Sequence, residues 1–320
     1  MIPYLAVPDF HPTRGWLTPA DAAARSRWCC EQLEEGRVLY CEGLLFDLSE
    51  PERQLLLSQS LDGSRLHKNI SYRPAQDMLR GGDGKDTQAR TGMHQFMRRY
   101  SGEVTRGLSQ LLAPYAPHWA LDYASFRPEA EQDRKLPLRK RNDLLHVDAF
   151  PSRPTRGGRI LRCFSNVNPS QPRVWLTTDT FPSLAQRYAR EAGLSVIARQ
   201  GTPAGAQLLH ALKRAFGAKT QAQSAYDKFM LRFHDYLKEN ADFQENCPKT
   251  QLEFPPNSTW LCYTDAVPHA VTHGQYALEQ TFIVPLSAML SPQKSPLRIL
   301  EGLADARLVP DLAGSHSAKG

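Results

Sequence analysis

From Trp119 onward the 320-residue chain is built of short β runs separated by glycine, proline and polar turns. That pattern restricts it to packed sheets, a sandwich or a barrel. The runs are DYASFR (122–127), LLHVDAF (144–150), RILRCFSNV (159–167), RVWLTTD (173–179), TWLCYTD (259–265), HAV (269–271) and YALEQTFIVP (276–285). An insertion separates the fourth run from the fifth and carries two amphipathic segments, over 204–216 and 224–238. Leu208, Leu209, Leu212 and Phe216 share one face of the first; Phe229, Phe233, Tyr236 and Leu237 cluster on the second. Both stripes read as core contacts rather than a ligand box.

Before Trp119 the periodicity is helical. Residues 18–36 form a candidate helix with Thr18 or Asp21 as cap, Pro19 in its first turn and Gly36 at its end. A short helix is expected over 51–61 and a longer one over 93–113, closed by Pro114 and Pro117. The stretch 63–92, with Gly81, Gly82 and Gly84, reads as a loop. The expected organisation is a helical and loop region over 1–118, a β core over 119–290 with its insertion at about 182–245, and a C-terminal extension over 291–320 with a mobile end.

Composition narrows the class. Apolar content of 41% and charged content of 22% describe an ordinary globular protein. No apolar run approaches the roughly 18 residues that a spanning helix needs, and the N-terminus lacks the basic and apolar regions of a secretory signal. Six cysteines, at 29, 30, 41, 163, 247 and 262, form no C-x-x-C pair, which fits a reducing cytosol and excludes a zinc ribbon. The net charge of +6 points to an anionic partner, the plain alternative being a generically basic protein.

The run LLHVDAF contains His146-Val147-Asp148, the one His-x-Asp/Glu of the sequence. Residues i and i+2 of a strand face the same way, so a strand here aims an imidazole and a carboxylate into one pocket. Two nitrogens and a carboxylate with open positions suit non-haem Fe(II) that activates O2. Downstream, VPHAVTHG offers His269 and His273. His269 is the preferred third ligand: it follows Pro268 and begins a short strand, whereas His273 precedes Gly274 and reads as a hairpin turn.

The order His-x-Asp, then a distal histidine opening the penultimate strand, resembles the Fe(II)/2-oxoglutarate dioxygenases. The nearer resemblance is to the Kdo hydroxylases, which modify 3-deoxy-D-manno-oct-2-ulosonic acid in bacterial lipopolysaccharide. It is carried by HKNISYRP (67–74), by the stretch from LDYASFRPE to RCFSNVNP (121–169), and by TDAVPHAVTHGQYALEQTFIVP (264–285). The resemblance implies a double-stranded β-helix (a jelly roll, cupin-like) with the metal at one mouth. It implies oxidative decarboxylation of 2-oxoglutarate to succinate and CO2, coupled to insertion of one oxygen atom at C3 of the sugar. The implied substrate is a Kdo-containing lipid A precursor. The implied location is cytoplasmic and peripheral, against the anionic inner face of the inner membrane.

One departure concerns the cosubstrate. Many dioxygenases place Arg or Lys on the last strand for the distal carboxylate, but residues 275–280 (QYALEQ) hold no cation. A second dioxygenase pattern uses the strand after His-x-Asp, where Arg162 lies. Alternation puts Ile160, Arg162, Phe164 and Asn166 on one face and Arg159, Leu161, Cys163 and Ser165 on the other. An inward Arg162 suits a carboxylate, with Asn166 a second candidate contact; the alternative is an outward Arg162 paired with a helix carboxylate. Arg159, on the other face, is expected to tolerate substitution.

Basic residues crowd the flanks of the metal segment: Arg134, Lys135, Arg139, Lys140 and Arg141 before it, Arg153 and Arg156 after it, and Arg65, Lys68 and Arg73 upstream. They read as a cationic mouth or as solvated loop charge. Arg127, Lys68, Arg139, Lys140 and Arg141 are the candidate substrate contacts. Nucleic acid is not expected, for want of an aromatic stacking platform or a helix-turn-helix. The oligomeric state is open. Two other functions use the same residues: a metal-dependent cupin isomerase or lyase, and a non-catalytic barrel binding an anionic sugar or lipid.

Overall fold

The computed structural model describes residues 4–11, 14–61, 69–82, 87–130, 136–200 and 222–310. Its strands are β1 (Tyr4–Ala6), β2 (Phe10–His11), β3 (Gly15–Trp16), β4 (Val38–Glu42), β5 (Ile70–Arg73), β6 (Met78–Arg80), β7 (Ala120–Arg127), β8 (Arg159–Asn166), β9 (Arg173–Thr177), β10 (Thr250–Phe254), β11 (Ser258–Tyr263), β12 (His269–His273) and β13 (Ala277–Val284). Eight of them form one sheet in the order β1-β4-β11-β8-β13-β7-β5-β6. A smaller sheet, β10-β9-β12, is antiparallel throughout. β2 and β3 make a separate ribbon. The fold is a large eight-stranded sheet and a smaller one with helices packed around them, the jelly-roll type of the sequence expectation, although the described α-helices hold more residues than the strands.

The N-terminal region, read from the sequence as helices and loops packing on the core, also supplies strands. β1, β4, β5 and β6 all come from the first 80 residues and are hydrogen-bonded members of the large sheet. The stretch read as a loop contains β5 and β6, and the third helix begins at Thr87 rather than 93. Gly81 and Gly82, two of the three glycines that suggested a loop, both have φ near +81°, just after β6.

Two layers cover the large sheet. On one face lie the helices Ala22–Glu34 and Thr87–Leu111, which bury Cys29, Cys30 and Leu33, and Met93, Phe96, Met97, Tyr100, Val104 and Leu108. Their spacing of three and four residues makes each row a single stripe. On the other face the two sheets close over an aromatic interior of Phe164, Trp175, Phe254 and Trp260. Phe254 stacks on Trp260 with ring centroids 4.0 Å apart, and Trp175 meets Phe164 edge-on at 4.8 Å.

The insertion holds the helices Phe181–Tyr188, Leu194–Gln200, Ala225–Glu239 and Ala241–Asn246 among its described residues; the expected segment at 204–216 lies outside them, as do residues 311–320. Helix Ala225–Glu239 buries Phe229, Phe233 and Leu237, as its periodicity predicts. It opens with a capping box between Ser224 and Asp227. Asp227 Oδ1 also accepts from the backbone N–H groups of Thr155 and Arg156 at 2.8 and 3.1 Å, so the cap anchors the loop that follows the His-x-Asp segment. Gln244, in the next helix, exchanges two hydrogen bonds with the backbone of Leu145, just before His146. The C-terminal extension forms a further helix, Pro296–Ala304, capped by Ser295.

Candidate metal centre

His146-Val147-Asp148 is extended but is not a strand of either sheet. Its ladder is a single bridge, His146 to His269, with N–H to O distances of 3.2 and 2.9 Å, and Asp148 N–H donates to Thr264 O at 2.8 Å. Pro151 and the loop tied to Asp227 end the extended run before a longer ladder can form. The alternation expected of a strand still holds: Val147 is buried in the core, while His146 and Asp148 line the cavity.

His146, Asp148 and His269 bring one ligand atom each within 4.8 Å of one another, all three buried. The ring Nδ1 of His146 meets Leu144 O at 2.7 Å, and that of His269 meets Val267 O at 2.9 Å. A nitrogen facing a carbonyl carries the proton, which leaves each Nε2 lone pair for an ion and fixes ring orientation. Burial holds both imidazoles below their ordinary pKa, so they are neutral at pH 7. Burial opposes ionisation of Asp148, but the Arg162 guanidinium, with smaller help from His269, His146 and a hydrogen bond from Thr264, outweighs it and holds the carboxyl below its ordinary pKa. Two neutral imidazoles and one carboxylate, with no fourth protein ligand in the cluster among the described residues, fit Fe(II) with open positions. His273 is exposed at the end of β12, past an irregularity between Val271 and His273 that turns it away.

The three candidate ligands sit in a cavity of about 640 Å³. Its lining includes six cationic side chains (Arg127, Arg139, Lys140, Arg162, Arg173 and Lys238) and three carboxylates (Asp148, Asp235 and Glu279). Arg162 points inward, as its parity in β8 predicts, with Nε 3.3 Å from Asp148 Oδ2 and Nη1 3.5 Å from Glu279 Oε2. Arg127 donates to the same Glu279 oxygen at 3.0 and 3.1 Å. Arg139 lines the cavity while paired with Asp235 and Glu239.

Three expectations are corrected. Asn166 shares the parity of Arg162 but stands at the far end of β8; its amide donates to Gln171 O and Phe254 O and its oxygen accepts from Asn168 N–H, so it pins a loop and does not line the cavity. Arg141 is paired with Asp143 at 2.9 Å and is likewise absent from the lining. Arg159 is not a tolerant surface residue: it is 1% exposed, donates to Asp265 at 2.8 Å and stacks on Tyr263. Lys68 and Arg65, with Arg134 and Lys135, lie outside the described residues.

Several cavity residues escaped the sequence reading. Arg173 and Trp175 project from β9, and Trp175 stacks on the His269 ring at 5.0 Å. The same alternation that located Arg162 applies to RVWLT and would have found both. Gly274 makes room for Arg173: with φ of +106°, a Cβ there would meet Arg173 Cα at 2.9 Å, and its carbonyl accepts from Arg173 Nη1 at 3.0 Å. Helix Ala225–Glu239 contributes Leu231, His234, Asp235 and Lys238, the face opposite its core stripe. His234 bonds Val147 O at 2.8 Å, between the two ligands.

A jelly roll that gathers two neutral histidines and one aspartate at its mouth defines the class of mononuclear non-haem iron enzymes. The chain belongs to the family described as 3-deoxy-D-manno-oct-2-ulosonic acid (Kdo) hydroxylase, whose profile matches residues 17–307. Solved structures agree. A Kdo hydroxylase KdoO, a non-heme Fe(II) alphaketoglutarate dependent dioxygenase in complex with alphaketoglutarate and Fe(III), is 33% identical, with a TM-score of 0.81 over 96% of this chain and 97% of that one. KdoO with cobalt(II) is 32% identical at a TM-score of 0.83, covering 98% and 99%. KdoO with succinate and Fe(III) is 32% identical at 0.81, with the same coverage. No curated protein sequence matches this chain.

Proposed function

We propose that this protein uses Fe(II), 2-oxoglutarate and O2 to hydroxylate the Kdo sugar of a lipid A precursor at C3, releasing succinate and CO2. The observation that carries this reading is the open His146/Asp148/His269 set beside Arg162, in a cavity where cations outnumber carboxylates two to one. Fe(II), when bound, supplies the O2 activation that the side chains alone lack. His146 and His269 present Nε2, and Asp148 presents its carboxylate. Arg162 binds the distal carboxylate of 2-oxoglutarate, with Arg173 the other guanidinium on the same wall. The remaining cations, Arg127, Arg139, Lys140 and Lys238, meet the acidic groups of the sugar lipid. The test is anaerobic loading with Fe(II) and 2-oxoglutarate, then air and a Kdo-bearing lipid A precursor. The product should be heavier by one oxygen atom, with succinate formed in step. Decarboxylation that stays independent of the sugar lipid would count against this substrate.

We further propose that the protein docks peripherally on an anionic membrane face. No helix among the described residues is long and apolar enough to cross a membrane. What supports docking is the turn Leu138–Lys140 at the cavity rim, where Leu138 is 44% exposed beside Arg139 and Lys140. Each basic residue near an anionic surface adds about 1 kcal/mol. Vesicles rich in anionic lipid should pull the protein down at low salt and release it at high salt. Neutralising Arg139, Lys140 and Arg141 together should weaken that binding. Unchanged flotation of the triple variant would refute the surface.

A further inference from the structure

Glu279 is an acidic residue on the last strand of the roll, 4% exposed, among cavity cations. It projects from β13 opposite Phe164 of β8 and Ser125 of β7. Both arginines beside it are held by one oxygen. Arg127 donates to Oε2 from Nε and Nη2, and Arg162 Nη1 approaches that same Oε2. Oε1 makes no hydrogen bond among the described residues. A carboxylate that pairs with a guanidinium frequently meets its fork with both oxygens. Here one oxygen holds the arginines and the other keeps its acceptor sites.

An ionised carboxylate only accepts hydrogen bonds. Burial opposes its ionisation, but Arg127 and then Arg162 outweigh that and hold the acid below its ordinary pKa. A substrate group that replaces water at Oε1 must therefore be a donor. 2-Oxoglutarate and a sugar carboxylate carry none at neutral pH, and a phosphate is then mostly dianionic. A deoxy-octulosonic acid carries several hydroxyl groups. We propose that Glu279 orients the sugar: Oε1 accepts a hydrogen bond from a sugar hydroxyl while Oε2 keeps Arg127 and Arg162 in place. The acidic edge of the sugar is then repelled from this wall toward the cations at the rim, which selects one face of the ring for the iron. This inference rests on the Kdo reading above.

Glu279→Gln tests it. A carboxamide has one acceptor oxygen, which the two arginines claim, so its NH2 faces the cavity and an acceptor becomes a donor. The probe is the methyl glycoside of Kdo, titrated by calorimetry against anaerobic protein loaded with Fe(II) and 2-oxoglutarate. The expected result is a glycoside Kd at least tenfold weaker in Glu279→Gln. The affinity for 2-oxoglutarate, read from its visible charge-transfer band, should hold or tighten, since a competing anion has left Arg162. Equal loss for glycoside and 2-oxoglutarate would overturn the proposal and leave Glu279 a support for the arginines. An unchanged glycoside Kd would overturn it too. A second arm needs no variant: in the wild-type protein, one glycoside of a singly deoxygenated series should bind at least tenfold more weakly. If every deoxy glycoside binds like its parent, no hydroxyl meets Glu279. Failure of the wild type to bind the parent glycoside at all would instead refute the Kdo reading itself.

Discussion

Arg162 Nε stands 3.3 Å from Asp148 Oδ2, so the guanidinium that faces the cavity also supports a carboxylate of the metal set. Both side chains are largely buried, each 12% exposed, and Glu279 lies on the other side of the guanidinium. Arg162 thus sits where a third carboxylate, from the cavity, can reach it without its moving far from the other two. Arg162→Ala should raise the KM for 2-oxoglutarate at least tenfold, as the loss of a charge-assisted pair of about 1.5–3 kcal/mol requires. Initial rates of succinate formation at saturating sugar lipid measure it. An unchanged KM would assign the cosubstrate to another cation, Arg173 first.

The ligand set makes a sharper forecast. His146→Ala, Asp148→Ala and His269→Ala should each abolish hydroxylation and weaken Co(II) binding, read from the visible spectrum of the cobalt protein. His273→Ala should keep substantial activity, because His273 is exposed past the irregular turn of β12. A dead His273→Ala beside a living His269→Ala would reverse the assignment.

Arg159 and Asp265 form a buried ion pair with exposures of 1% and 2%. Removing one partner strands the other charge. Arg159→Ala should cost about 3–5 kcal/mol of stability. Urea unfolding followed by far-ultraviolet circular dichroism gives the number, and a change below about 1 kcal/mol would mean that the pair is not formed.

Thiol chemistry offers a check on packing. Burial pushes the Cys30 and Cys41 thiols up to about 12, and those of Cys29, Cys163 and Cys262 rise for the same reason. A raised pKa keeps the unreactive thiol form at pH 8, and only a pH near the new value would ionise it. Brief alkylation of the native protein at pH 8 should therefore label Cys247, which is half-buried, and spare the other five. Rapid labelling of Cys29 or Cys30 by peptide mass mapping would show that the helix Ala22–Glu34 does not lie as described.

Much of this site is legible because local alternation survives in the fold. His146 and Asp148 face one way although their segment is bridged at a single point, and Arg162 points inward as its parity in β8 requires. Parity fails at Asn166 because a strand end follows its loop: Asn168 and Gln171 recruit the amide before the cavity can. It fails differently at Arg159, where the face opposite Arg162 is covered rather than solvated, so a cation there needs the distant Asp265. No reading of RILRCF by itself supplies that partner, 106 residues away. The helix Ala225–Glu239 was half read: its apolar stripe announced the core, but a polar face looks the same whether it meets water or a cavity.

That helix has a consequence for engineering. Through Asp227 it ties down the loop after the metal segment, through His234 it holds Val147, and through His234, Asp235 and Lys238 it forms a wall of the cavity. One helix therefore both braces the candidate metal segment and walls the cavity beside it. A library built on the cavity wall of the helix should be screened for Co(II) binding as well as for sugar preference, because the same substitutions bear on both.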